Sequence, residues 1–190
     1  MVTTYTYHEK IINLKQFKMK KIILTLILSF AIISCETPQS ASADPDGRSL
    51  IDPTGLIEVA DKFNAALTSG DIDQASSFLS ENATWSFPNG VTIEGKEAVT
   101  NMMANVNQIW TTIDQNSGDT VYLGVTGGEE GSEWRVLLSW GQATYSNNAN
   151  SITVPYHQVT WFTEDNQIGA MSGLYDRTEL VASYSEDPIK

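Results

Sequence analysis

Residues 63–99, FNAALTSGDIDQASSFLSENATWSFPNGVTIEGKEAV, decide how the chain is read. The stretch opens inside an amphipathic helix. Leu56, Ile57, Ala60, Phe63 and Leu67 recur at helical spacing behind Asp52 as N-cap and Pro53 at the first helical position, and Gly70 ends the helix as a left-handed C-terminal residue. A short second helix follows from Asp71 or Ile72, with Ile72, Ala75, Phe78 and Leu79 on one side. The period then changes. Alternation over 83–87 sets Ala83, Trp85 and Phe87 on one face and Thr84 and Ser86 on the other, and Pro88, Asn89 and Gly90 turn the chain into a short partner, 91–94. Gly95 breaks that partner. A third helix then runs from Lys96 to about Gln108 with Val99, Met102, Met103 and Val106 as its apolar stripe.

Beyond Ile109 the pattern reads as antiparallel strands at 109–114, 120–125, 133–145, 152–163 and 167–174, separated by turns such as GGEEGS and SNNANS. In 133–145, Trp134, Val136, Leu138 and Trp140 alternate strictly and the phase changes near Gly141, which predicts a bulge. The strand 152–163 carries large side chains on both faces. Val154, Tyr156 and Phe162 share one, and His157, Val159 and Trp161 share the other, so cover is expected on both: helices on one side, a second subunit on the other. Helices first and long antiparallel strands afterwards make an α+β domain, placed at residues 51–182 with 183–190 as a tail.

The region ahead of the domain reads as an address. From Met19 the chain runs MKKIILTLILSFAIISCETPQS: two lysines, an apolar run over 22–33, then Ser34 and Cys35, the order of a secretory signal. The apolar run is shorter than the ~20 residues that a membrane span needs. IISC resembles the lipobox of bacterial lipoproteins, which implies cleavage before Cys35, the only cysteine of the chain, and lipid on its sulfur and new amino group. A buried cysteine behind an ordinary signal is the plainer alternative. Residues 1–18 show no pattern leading into a domain and are set aside, with Met19 as the expected start; 19–34 are the signal. Residues 35–50 read as lipidated Cys and tether, rich in Pro, Ser, Ala and Asp. The expected location is the bacterial cell envelope, with the outer membrane favoured over the inner, although Glu36 directly after the Cys leaves that sorting open.

Charge narrows the partners. The 190-residue chain has a formal net charge of −12, but residues 1–34 hold five Lys and one acidic residue, Glu9, leaving six basic and 22 acidic side chains, a net −16, beyond them. Such a surface repels phosphate backbones and excludes nucleic acid as a partner class. Asp44, Asp46 and Gly47 open like a calcium loop, but the position that needs a bidentate carboxylate is Gly55. Glu129, Glu130 and Glu133 read as a solvated hairpin tip. No metal site, phosphate loop or serine elbow is expected, and no cofactor.

Residues 63–99, with their Ala-Ala-Leu, Gly-Asp and ATW…P.G…I.GKEAV pattern, resemble the start of the nuclear transport factor 2-like superfamily in its SnoaL-like branch. VTWFTEDNQIGAMSGLYD, 159–176, resembles the final hairpin of that family. The resemblance implies a cone-shaped fold in which a strongly curved, mostly antiparallel sheet wraps three N-terminal helices around a cavity. It places Phe63, Phe87 and a residue near Gln158 where the ketosteroid isomerase branch uses a tyrosine, a base and an acid. None of the three side chains carries out that chemistry. Phe63, Trp85, Phe87, Met102, Trp110, Gln158 and Tyr175 are the expected ligand-lining residues.

Three functions stay open. One is a membrane-anchored binder of a small apolar ligand. The second is a cyclase, isomerase or hydrolase using His157, the only histidine after Met19, with Asp176 as acid–base partner, because Asp176 shares parity with Ile168, Ala170 and Leu174. The third is a dimeric interaction subunit that pairs through its exposed sheet face.

Overall fold

The computed structural model describes residues 47–116, 118–129 and 133–189. Cys35, the signal and the tether as far as Asp46 lie outside the described residues, as does Glu130. The elements run β1 (Ser49–Ile51), α1 (Thr54–Ser69), α2 (Ile72–Ser77), β2 (Leu79–Ser86), β3 (Thr92–Glu94), α3 (Lys96–Ile109) and β4 (Thr112–Asp114). They continue with β5 (Val121–Gly127), β6 (Trp134–Ser146), β7 (Ser151–Phe162), β8 (Ile168–Tyr175) and α4 (Thr178–Ala182). Ser49 and Leu50, read as tether, instead pair with β5 as the edge strand β1.

Local chemistry explains the helical half. Asp52 Oδ1 accepts from the Thr54 amide (3.0 Å) and hydroxyl (2.6 Å), so the capping carboxylate lies one residue ahead of Pro53, which occupies the N-cap itself. Gly70, at φ 74°, ends α1 while its N–H donates to Leu67 O and that of Asp71 donates to Ala66 O. Asp71 then caps α2 by accepting from the Gln74 amide at 2.9 Å. The turn after β2 closes with the Gly90 amide on Phe87 O, 3.0 Å.

The eight strands described form one mixed, mostly antiparallel sheet in the order β1-β5-β6-β7-β8-β2-β3, with β4 pairing the far half of β6. The parallel pair is β8 with β2. Ala83 and Trp85 of β2 and Phe87 just after it, Met171 of β8, Val154 and Phe162 of β7 and Leu137, Ala143 and Tyr145 of β6 meet Phe63, Ala66 and Leu67 of α1 and Val99, Met102, Met103 and Val106 of α3 in one core. The fold is thus an α+β arrangement of helices on a mixed sheet.

Two register details differ from expectation. β6 pairs β7 without a shift from Arg135↔Phe162 to Ser146↔Ser151, so no bulge sits at Gly141. The change of phase has another cause: the first half of β6 presents its large residues outward, and the second half presents Ala143 and Tyr145 inward. The irregularity lies in β8, where Ile168 pairs Phe162 and Ala170 pairs Trp161, leaving Gly169 as an extra residue. That residue reverses the parity of the strand, so Met171, Gly173 and Tyr175 face inward and Ala170, Ser172 and Leu174 outward.

The outer face carries three apolar rows across β5, β6, β7 and β8. Val121, Trp140, His157 and Leu174 form the first; Leu123, Leu138, Val159 and Ser172 the second; Val125, Val136, Trp161 and Ala170 the third. Val121 (64 %), Leu174 (61 %), Trp140 (41 %) and Trp161 (37 %) remain exposed. Beyond β8 the same face turns polar, with Thr84 and Ser86 opposite Glu94 and Thr92.

The expected C-terminal tail is also structured. Ile189 is buried, Asn89 Nδ2 donates to Ile189 O at 3.0 Å, and Arg177 Nη2 meets Asp187 Oδ1 at 2.7 Å.

Candidate functional site

The site is the space left between the inner face of the sheet, α1, α3 and the C-terminal segment. β2 and the residue directly after it supply Trp85 and Phe87, whose rings stack at 5.5 Å and 15°, with Phe63 behind Trp85 at 6.1 Å. Alternation along β2 puts both rings inside, and α3 brings Met102, Met103 and Val106 to face them. Leu180, Tyr184 and Ile189 of the C-terminal part complete the lining. The main cavity measures ≈ 40 Å³, and a second lobe of ≈ 20 Å³, sharing Trp85, Gln115, Tyr145 and Tyr175 with it, extends to Tyr156 and Gln158. These volumes hold a few water molecules, whereas pockets for drug-sized molecules run to several hundred Å³ (about 300–1,000).

The polar groups in the wall are few. Arg177 is the single charged side chain lining either lobe. Gln115 is buried, Gln158 Nε2 donates to Thr160 Oγ1 at 3.2 Å, and the Tyr145 and Tyr175 hydroxyls interact directly. Burial holds Tyr145 well above the ordinary phenol range and pushes Tyr175 up to about 12, despite the nearby Arg177 cation. Burial also raises Tyr156 and Tyr184. Trp110 Nε1 donates to Tyr184 Oη at 3.1 Å, fixing that ring against the cavity. At neutral pH the walls therefore offer neutral phenols, amides and one guanidinium. They can orient and donate to a ligand oxygen, but none is a base.

Raised phenol pKa values make alkaline stability a direct test. A tyrosine whose folded pKa exceeds its unfolded value near 10 contributes stability fully present below pH 10, and that stability is lost as pH rises toward the folded value, about 12 for Tyr175. The displacement of Tyr175 alone corresponds to about 3 kcal/mol. Unfolding should therefore set in between pH 10 and 12, and phenolate absorbance should rise together with the loss of secondary structure. Ionisation of all the tyrosines near pH 10 with the fold intact would contradict this account of the cavity.

The residues singled out from sequence fall in four places. Trp85, Phe87, Met102 and Tyr175 line the main cavity, and Gln158 lines the second lobe with Trp85 and Tyr175. Phe63 and Trp110, 1 % and 0 % exposed, are packed behind the wall and do not line it. His157 sits on the outer face of the sheet, stacked on Trp140 at 4.8 Å and 7°, its Nε2 buried without a hydrogen-bond partner. Asp176 is exposed, accepts from the Thr178 amide at 2.8 Å, and is held below the usual carboxylate range first by the Thr178 side chain and then by that amide. The expected pairing of His157 with Asp176 in one cavity is thus not formed. Alternation puts His157 on the outer face, and the extra residue Gly169 reverses the parity on which the inward placement of Asp176 rested.

Arg177, Gln115, Tyr145, Tyr184 and Ile189 were not read from sequence as site residues. Parity alone could have found Tyr145, since it shares a face with Ala143. The others lie on irregular segments with no period to read. Among the described residues no cluster of three or more His, Cys, Asp or Glu could hold a metal ion, and no helix is long and apolar enough to cross a membrane.

Comparison with known proteins agrees with the fold. Residues 60–171 match the SnoaL-like domain. A Bacillus subtilis protein, assigned provisionally as an isomerase, superposes with a TM-score of 0.52 at 14% identity, covering 74% of this chain and 100% of its own. An NTF2-like protein of unknown function from Burkholderia pseudomallei gives 0.50 at 16% identity over 69% of this chain and 98% of its own. A further NTF2-like protein of unknown function, from Cytophaga hutchinsonii, gives 0.46 at 19% identity over 66% and 93%. No curated protein matches at a significant level. With the family match spanning more than half of its length, on an α+β frame that superposes on NTF2-like structures, the chain belongs to the SnoaL-like domain family and has the NTF2-like fold.

Proposed function

We propose that the chain is a lipid-anchored protein of the bacterial cell envelope whose SnoaL-like domain binds a small, mostly apolar ligand in its interior cavity and pairs with a second copy through the outer face of its sheet. The observation that carries the binding reading is the wall itself: Trp85, Phe87, Met102, Met103 and Val106 around a few fixed donors, the composition of a binding pocket. The acid–base alternative lacks a cavity that holds both His157 and Asp176. Pairing is supported by the apolar rows on the outer face. They contain no acidic residue, so two strongly acidic chains meet there with least repulsion.

Native mass spectrometry of the full chain, after exposure to a lipid and metabolite extract of its own cells, tests the ligand. A retained small molecule is the expected result, and a bare protein mass across the extract fractions would overturn the reading. The anchor is tested separately. Cys35→Ala should move the protein from the membrane to the soluble fraction, because two or three acyl chains contribute about 0.8 kcal/mol per buried methylene and among the described residues no helix is long and apolar enough to cross a membrane. Unchanged membrane association would refute the lipid.

A further inference from the structure

Three features of the C-terminal segment belong together. Tyr184 and Ile189 line the cavity of ≈ 40 Å³ together with Leu180, Trp85 and Phe87. Arg177, only 9 % exposed, is the one charge in the wall and also borders an open groove of ≈ 600 Å³ formed with Pro88, Asn89, Tyr175 and Val181. It therefore stands at the boundary between interior and solvent. Its partner is a carboxylate of the segment itself, Asp187, held through a single oxygen: Oδ1 takes Arg177 Nη2 at 2.7 Å and the Ile189 amide at 3.0 Å.

From these contacts we infer that the segment 184–189 is an internal occupant of the ligand cavity, and that the ligand it stands in for is an amphiphilic carboxylate. This rests on the binding reading above. The carboxylate of the ligand takes the place of Asp187 on Arg177, and its aromatic or aliphatic body takes the space of the Tyr184 ring and the Ile189 side chain.

The chemistry favours exchange. A guanidinium matches both oxygens of a carboxylate in a planar fork, so a free ligand can make a two-oxygen contact where Asp187 makes a one-oxygen contact. A buried arginine tolerates no uncharged replacement well, because losing its anion leaves a desolvated cation. An anion must therefore follow Asp187 out. With its side chain 23% exposed, Asp187 remains within reach of solvent. Asn89 Nδ2 donating to Ile189 O and Trp110 Nε1 donating to the Tyr184 hydroxyl also hold the segment in place. Tyr184 presents an aromatic ring to the interior three residues before the carboxylate, which makes a phenylalkanoate the closest simple probe.

The test uses the full chain and two probes of the same shape, phenylpentanoate and phenylpentanol, with binding read by calorimetry and by accessibility of the C-terminus to carboxypeptidase. Phenylpentanoate should bind at least about tenfold tighter than the alcohol, the worth of one charge-assisted contact, and should speed C-terminal digestion. Asp187→Asn should tighten phenylpentanoate about tenfold further and leave the alcohol nearly unchanged, since only the competing anion is removed. Arg177→Gln should erase the preference. Equal binding of acid and alcohol to the wild type and to Asp187→Asn would overturn the inference and leave the binding reading intact. Binding of neither probe to either protein would overturn both. Digestion of the wild type is read without any substitution, so a misfolded Arg177→Gln protein does not decide the matter.

Discussion

Replacing Trp85 with alanine will lower the unfolding free energy by about 3–5 kcal/mol, the range for truncating a large buried aromatic. The ring is 7 % exposed, stacked on Phe87, tilted against Phe63, and carried on a strand held between β8 and β3. Truncation removes contacts to both neighbouring rings, and β2 cannot shift inward to recover them because Trp85↔Met171 and Trp85↔Ile93 fix its register. The new space joins the existing lobes, where Gln115, Tyr145 and Tyr175 can hold water, so the cost belongs nearer the lower end. Urea denaturation should show a lower midpoint at unchanged slope. A loss below about 1 kcal/mol would mean that the aromatic wall is not packed as described.

The second large effect is expected on assembly. Leu174→Glu puts a carboxylate in the first apolar row, beside His157 and in line with Trp140 and Val121. With 61 % of Leu174 exposed in the single chain, the substitution leaves the fold intact. In a twofold dimer the charge enters the interface twice. An unpaired charge buried there costs about 3–5 kcal/mol, which raises the dissociation constant by at least about a hundredfold. Sedimentation equilibrium should show a wild-type dimer and a variant monomer of unchanged circular dichroism. A wild-type protein that stays monomeric at high concentration, or a variant that dimerises equally well, would remove this face as the pairing surface.

How much was legible depended on how local each signal is. Asp52, Gly70, Asp71 and Gly90 act through bonds to residues two to four positions away, so the first helices, the turn and the third helix were visible in the chain itself. Parity along β7 was readable too, and His157 does share a face with Val159 and Trp161. Periodicity says which residues lie together, but not which side the helices cover. The apolar series in β6 predicted a bulge near Gly141 because both faces are apolar over different halves, while the pairing itself runs unbroken. Gly169 defeated the reading of Asp176 because one extra residue leaves no compositional trace while it inverts every later side chain.

By itself the sequence determined the class of the fold, the order of its elements from α1 to β8, and the aromatic wall of Trp85 and Phe87. These rest on capping, turn chemistry and period, which act over a few residues. Only the tertiary structure decided that His157 faces outward, that Asp176 lies in solvent, and that Arg177 meets Asp187 beside a cavity lined by Tyr184 and Ile189. Those placements depend on pairing partners far along the chain and on an irregular terminal segment, and neither has a period to read.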